Sequence, residues 1–309
     1  MKIGFGLPVS GSWATPDNVG HVARRAEELG YASLWTFQRL LSDVDGSMGE
    51  TYRSVHDPLI ALAYAAAVTS RIRLGVAVVN MPFVSPTLLA KQTATLDILC
   101  GGRLDVGLGL GWADHEYEAS GAVKRGVGRR AGEFIAAVKT LWTDDVVAHD
   151  GEFYHIPRTR MEPKPVQKPH PPILLGGTAP AALRRAGRLA DGWVSSSRAD
   201  LINIGESVEL VRRTAVEAGR DPASLRFVCR GSVKVRDDVS GSGGPTGADR
   251  TPLTGTIEQI RGDLVAIAGR GVTELFVDLN FDPEIGSPDA DPATSRRRAD
   301  EALEGFAPA

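Results

Sequence analysis

The sequence predicts an α/β chain folded as a single TIM-type (β/α)8 barrel. Three observations predict it. Short apolar runs alternate with helix patterns from one end to the other, which implies a parallel sheet. Eight such strand–helix units can be read, the number that closes a barrel. The length of 309 residues suits a one-domain barrel as well as it suits two smaller domains. A doubly wound open sheet is the alternative, and the count of eight favours closure.

The elements follow in order. "KIGFGLP" reads as the first strand. In "TPDNVGHVARRAEELG", Thr15 is placed to cap a helix, Pro16 to open it and Gly30 to end it, while Val19, Val22, Ala23, Ala26 and Leu29 make one apolar stripe. "ASLWTF" is the second strand, and Asp57-Pro58 opens the second helix. "RIRLGVAVVN" is the third strand, and Ser85-Pro86 opens its helix. "GRLDVGLGL" is the fourth, with a helix around 128–143 after it. "PILLGG", "GWVSSS", "LRFVCRGSVKV" and "ELFVDL" are strands five to eight, each with a helix pattern behind it. Two segments break the rhythm. Residues 144–172 carry a hairpin signal at Asp150-Gly151 and then a proline-rich stretch, and are read as an insertion after the fourth unit. Residues 236–255 are polar and glycine-rich and are read as a flexible loop.

Composition excludes several classes. A net charge of −3 gives no electrostatic case for nucleic acid or an anionic membrane. Cys100 and Cys229 form no metal or redox spacing, and no stretch reaches the length of a membrane span. The N-terminus has no long apolar signal region, so a cytoplasmic location is expected. No Gly-x-Ser-x-Gly elbow is present, no metal site is expected, and an aldolase or hydrolase barrel lacks a visible lysine or carboxylate constellation.

"GGRLDVGLGLGW" carries glycine at 107, 109 and 111. A dinucleotide fingerprint needs Gly-x-Gly-x-x-Gly at a strand-to-helix turn; here the third glycine comes one position early. Strand alternation instead puts Leu104, Val106, Leu108 and Leu110 on one face and the glycines on the other. Gly4 and Gly6 on the first strand and Gly75 and Ala77 on the third repeat the pattern. Barrel interiors are normally filled by branched side chains, so the pattern is read as room for a large flat ligand at the barrel mouth. Glycine that merely relieves crowding is the plainer reading.

Several long segments, "RIRLGVAVV", "SPTLLAKQTATLDILCGGRLDVGLGLGW", "GRRAGEFIAAVKTLW", "DGEFYHI", "PKPVQKPHPPILLGG" and "ALRRAGRLADGWV", resemble the luciferase-like monooxygenase superfamily, in particular its branch using the deazaflavin coenzyme F-420. The resemblance runs from residue 1 to about 280. It implies a barrel with the ring in its mouth, a non-proline cis peptide at Ala77–Val78 behind the ring, hydride transfer to or from a small organic substrate, and a homodimer as a common state of relatives. An FMN-dependent monooxygenase and a non-catalytic flavin-binding barrel are the alternatives.

The same resemblance marks positions. Many relatives carry an acidic residue and a histidine where this chain has Gln38-Arg39. Gln38 can bond the ring's pyrimidine edge. Arg39 cannot act as a base, but can steady a developing negative charge or anchor an anionic substrate. Asn80 is placed against the ring or ribityl chain. His115 and Glu116 match positions near the ribityl region, and His115 is the first candidate for proton transfer, with Arg39 and Glu116 as its catalytic partners.

The residues themselves suggest a phosphate site. Gly176 and Gly177 permit close backbone approach, Thr178 can cap the helix behind them, and a helix N-terminus favours an anion. Ser195, Ser196, Ser197 and Arg198 add donors and a cation on the neighbouring loop. Arg158, Arg160, Lys164 and Lys168 could attract the acidic tail of F-420. Trp13, Trp35 and Trp112 could wall the cavity, while Trp142 and Trp193 look like core.

Overall fold

The computed structural model describes residues 1–236 and 250–308. In chain order the elements are β1 (Lys2–Gly6), α1 (Pro16–Glu28), β2 (Ser33–Thr36), α2 (Pro58–Ala67), β3 (Arg73–Asn80), α3 (Pro86–Leu99), β4 (Leu104–Gly109), α4 (Asp114–Ala119) and α5 (Val127–Thr143). They continue with β5 (Val147–Asp150), β6 (His155–Thr159), β7 (Ile173–Gly176), α6 (Pro180–Leu189), β8 (Gly192–Val194), α7 (Ile204–Glu217), β9 (Arg226–Ser232), β10 (Lys234–Val235) and β11 (Thr254–Gly255). Last come α8 (Ile257–Ala268), β12 (Glu274–Asp278), α9 (Pro283–Gly286) and α10 (Pro292–Gly305). Eight strands close a parallel barrel in the order β1-β12-β9-β8-β7-β4-β3-β2.

The predicted helix starts are where the structure has them. Thr15 Oγ1 accepts from Asn18 N (3.2 Å), Asp57 Oδ1 from Leu59 N (2.9 Å) and Ser85 Oγ from Leu88 N (3.1 Å), each just ahead of a proline at the first helical position. Such caps satisfy amides the helix cannot, and each is worth about 1 kcal/mol.

Strand alternation divides the side chains into two packing zones. Leu104, Val106 and Leu108 of β4 join the large core beneath the helices. The inward set is different in kind. At the amino end of the barrel, Arg226 bridges Asp105 (2.7 Å) and Glu274 (3.0 Å), Arg73 adds a second contact to Asp105, and Glu274 accepts from Ser33 Oγ (2.5 Å). Above that layer Trp35 stacks on Phe276, ring centres 5.2 Å apart and planes 15° apart. Its indole N–H reaches Ser33 Oγ (2.7 Å) and Glu274 Oε1 (3.0 Å). Charges this deep persist because each has partners.

This packing corrects part of the glycine reading. A side chain at Gly4 would meet Ser33 and Phe276, and one at Gly75 would meet the Trp35 ring. These glycines make room for a neighbouring side chain, not for a ligand. Trp35, 1% exposed, is therefore barrel filling and not cavity wall, and Trp13 is equally buried. Trp142 and Trp193 lie in the core.

Between α5 and β7, β5 and β6 pair antiparallel; Glu133 of α5 accepts from Phe153 N (3.0 Å) and Tyr154 N (2.7 Å) across their turn. Of the loop expected at 236–255, residues 237–249 lie outside the described residues. Its far end is ordered: β11 pairs in parallel with β10, and Leu253 is fully buried. No helix among the described residues is long and apolar enough to cross a membrane.

Candidate functional site

A cleft of about 620 Å³ opens at the carboxyl rim of the barrel. Active sites of this architecture form there because the loops that follow the strands converge at that end. Its floor is made by β3. The register of β3 against β4 shifts between Val76 and Val79, and within this bulge the Ala77–Val78 peptide is cis, where the resemblance implies one. The bulge turns Val78 inward. A Cβ built at Gly107 would run into the Val76 carbonyl of the bulge, and one at Gly176 would lie 3.1 Å from Val78 Cγ1. One at Gly109 would overlap Val78 Cγ2 outright. Gly109 thus clears space for Val78 and Gly107 for the bulged backbone beside it, and the open slot sits above the Val78 side chain.

Arg230 of β9 supports the floor from behind. Its guanidinium donates to the Ala77 carbonyl, pairs with Asp278 Oδ2 at 3.4 Å, and lies 5.0 Å from the Phe37 ring, 5.3 Å from Phe281 and 5.5 Å from Phe276. Burial lowers the arginine's pKa, with Asp278 acting against it; burial raises that of Asp278, with Arg230 acting against it. The two charges hold each other in a dry place.

The wall after β2 carries Gln38 and Arg39. Gln38 Oε1 accepts from Asn80 N (2.8 Å), fixing the ends of β2 and β3 together. Arg39 is buried, with its Nη1 2.7 Å from Glu116 Oε2. Glu116 Oε1 in turn accepts from Leu40 N (2.7 Å) and Leu41 N (3.2 Å). The Arg39 guanidinium lies 4.6 Å from the ring centres of both Tyr52 and Trp112.

On the opposite rim, Gly176, Gly177 and Thr178 lead from β7 into α6. Gly177 has φ +121, a conformation that favours glycine. The helix cap is Ala179, not Thr178, and no side chain caps the first turn; Pro180 has no N–H and Ala182 N donates to the Ala179 carbonyl (2.8 Å), so Ala181 carries the first-turn amide left open. In the loop after β8, Ser195 is not available: its Oγ accepts from Arg230 N (2.9 Å) and faces Cys229 Sγ at 3.7 Å. Ser196 Oγ accepts from Arg198 N (3.3 Å), and the Arg198 guanidinium lies 5.6 Å from the Trp112 ring.

The cleft therefore gathers Gln38, Arg39, Ala77, Val78, Asn80, Gly176 to Thr178 and Ser195 to Arg198 along one surface. His115 and Glu116 are not part of it. His115 lies on α4 with its Nε2 3.3 Å from the Leu41 carbonyl, and Glu116 is buried behind Arg39. Lys164 donates to the Leu141 and Asp144 carbonyls. Gln167, next to Lys168, reaches the Leu104 carbonyl at the start of β4, so this stretch packs at the amino end, away from the cleft. Phe37, Tyr52 and Arg230 line the cleft and were not foreseen. The signal for Arg230 lay in β9: Arg226, Val228 and Arg230 alternate with Phe227 and Cys229, which puts two arginines inside the barrel.

The fold and this cleft define a TIM-barrel protein with a small-molecule site at its carboxyl rim. The chain belongs to the luciferase-like monooxygenase family, whose profile matches residues 3–240. It is 33% identical over 188 residues to an FMNH(2)-dependent dimethylsulfone monooxygenase of Pseudomonas putida, covering 59% of this chain and 51% of that protein. It is 39% identical over 176 residues, 56% of this chain, to an uncharacterised protein of Mycobacterium tuberculosis, and it spans between half and three fifths of the length of these two relatives. Among solved structures, monooxygenase RslO1 from Streptomyces bottropensis superposes with a TM-score of 0.78 at 25% identity over 99% of this chain and 98% of that one. The coenzyme F420-dependent tetrahydromethanopterin reductase of Methanopyrus kandleri gives 0.74 at 17% identity over 99% and 98%, a likeness of fold.

Proposed function

We propose that the cleft binds the deazaflavin coenzyme F-420 and that the protein transfers hydride between it and a small organic substrate. The observation that carries this reading is the floor. Val78 presents an apolar surface, and β4 and β7 beside it end in Gly109, Gly111, Gly176 and Gly177, which add no side-chain bulk. A broad flat ring suits such a surface better than a branched ligand does. The ring, when bound, supplies the redox centre.

The chain's own residues hold and orient. Gln38 and Asn80 offer amides at one edge of the cleft. The Gly176–Thr178 turn, Ser196, Ser197 and Arg198 offer amide, hydroxyl and guanidinium donors for a phosphate at the other. No histidine, cysteine, lysine or carboxylate lines the cleft among the described residues. Of the lining side chains Tyr52 is the one suited to proton transfer, which fits a reaction whose hard step belongs to a cofactor. FMN is the second reading, favoured by the identity to the FMNH(2)-dependent enzyme. Titration of the purified protein with F-420 and with FMN, followed by fluorescence, tests both. F-420 binding at least tenfold tighter, a difference of about 1.4 kcal/mol, supports the first reading. The reverse order replaces it with the second, and binding of neither overturns both.

A further inference from the structure

Arg39 is a buried cation with most of its donors unused. Its side chain is 4% exposed, yet of the five N–H groups of a guanidinium only one, on Nη1, is engaged by an acceptor among the described residues. Nε is buried and has no partner. Leaving donors of a buried charge unserved is costly, and such a group is normally satisfied by something. The engaged nitrogen determines what is left. Nε–H and the parallel N–H of Nη2 form the side edge of the guanidinium fork, the edge that takes a carboxylate in two parallel hydrogen bonds.

The surroundings hold that edge in place. Glu116 is itself pinned by the Leu40 and Leu41 amides, so it fixes Nη1 without wrapping the rest of the group. Both Glu116 oxygens are thus taken, Oε2 by Nη1 and Oε1 by the two amides, which leaves Nε and Nη2 of Arg39 without a bond from it. Tyr52 and Trp112 meet edge to face, ring centres 6.0 Å apart, and the guanidinium lies against both rings, 4.6 Å from each centre. Trp112 is 48% exposed, and its ring also lies near Arg198 at the rim. A large indole left half open beside a fork of free donors is a stacking surface for a planar body. The lining residues include three arginines and no acid among the described residues; the carboxylates of Glu116 and Asp278 stand behind Arg39 and Arg230, off the lining.

We propose that the substrate of this cleft is a planar aromatic or conjugated carboxylate, its carboxylate paired with the Nε–Nη2 edge of Arg39 and its ring stacked on Trp112. This deepens the reading above, because the carboxylate is the partner of the bound ring, but its recognition does not require the ring.

Benzoate, cinnamate and 2-naphthoate are titrated into the purified protein beside their methyl esters, with tryptophan fluorescence as readout. At least one acid is expected to bind ten times more tightly than its ester. The preference is expected to vanish in Arg39→Gln. Since that change leaves Glu116 unpaired, the double variant Arg39→Gln/Glu116→Gln keeps a neutral, foldable pair, checked by circular dichroism. Trp112→Ala, at a half-exposed position, is expected to weaken acid and ester alike, read by thermal shift. Equal binding of acids and esters, no binding of any acid, or a preference that survives in the folded double variant overturns the proposal. Acid binding without binding of F-420 or FMN overturns the ring reading and leaves this one standing.

Discussion

The side chain of Val78 fills the space that any side chain at Gly109 would need. One position is bare so that the other can form the floor of the cleft. The conformational freedom of glycine is not what matters here, since Gly109 has no positive φ. Its lack of bulk is. Gly109→Val is therefore expected to displace Val78 and weaken cofactor binding by at least tenfold, with overpacking costing about 1–3 kcal/mol of stability. Titration and urea denaturation of the same variant check it. Unchanged affinity would mean that Val78 is not the support.

Arg230 and Asp278 are a buried pair, and their removal is expected to be strongly non-additive. Arg230→Met leaves the Asp278 carboxylate buried with Asn280 as its remaining partner, which costs about 3–5 kcal/mol. Arg230→Met/Asp278→Leu is expected to cost less than that single change. The pH dependence has a definite sign. Burial raises the Asp278 pKa, so the folded state holds its proton more tightly than the unfolded chain. Stability of Arg230→Met should fall as pH rises above the ordinary aspartate value of about 3.9. Denaturant melts of the four forms of the cycle, each at two pH values, measure both effects.

Glu27 gives the opposite sign. Its carboxylate accepts from the amides of Ser70 (3.0 Å), Arg71 (2.6 Å) and Ile72 (2.8 Å), which ties α1 to the start of β3. Partial burial works to raise its pKa, but these bonds outweigh burial and lower it. The stabilisation is present above the unfolded glutamate value and is lost as pH falls through the lowered folded value. Glu27→Gln should be destabilised near neutrality, and the gap from the parent protein should close on acidification below about pH 4. A gap that stays constant down to the lowest pH would show that ionisation is not involved.

Neither thiol is expected to react in the folded protein. Burial pushes the Cys229 pKa up to about 12, against the Ser195 hydroxyl that lowers it, and burial raises that of Cys100 as well. Since the thiolate is the reactive form, a disulfide exchange reagent at pH 8 should label neither until denaturant is added, when both should react. Rapid native labelling of Cys229 would show that β8 and β9 open.

Much of the architecture was legible in the chain. The eight strands, the Thr15, Asp57 and Ser85 caps and the Asp150-Gly151 hairpin are local features, encoded by period and by turn chemistry within a few residues. The cleft was legible only in outline. Gln38, Asn80 and the Gly176–Thr178 turn stand at strand ends, where position alone marks them. His115 and Glu116 also follow a strand end, but α4 carries them off the lining, and sequence position does not report that direction.

Alternation along each strand determined which residues point into the barrel, because successive side chains must take opposite faces. Only the closed ring of strands decided what they meet there. Trp35 fills the space over Gly75, Val78 that over Gly109, and Arg230 crosses from β9 to the Ala77 carbonyl of β3, contacts between residues between 31 and 153 positions apart. Each depends on the register and curvature of the whole barrel, which no local stretch of sequence contains.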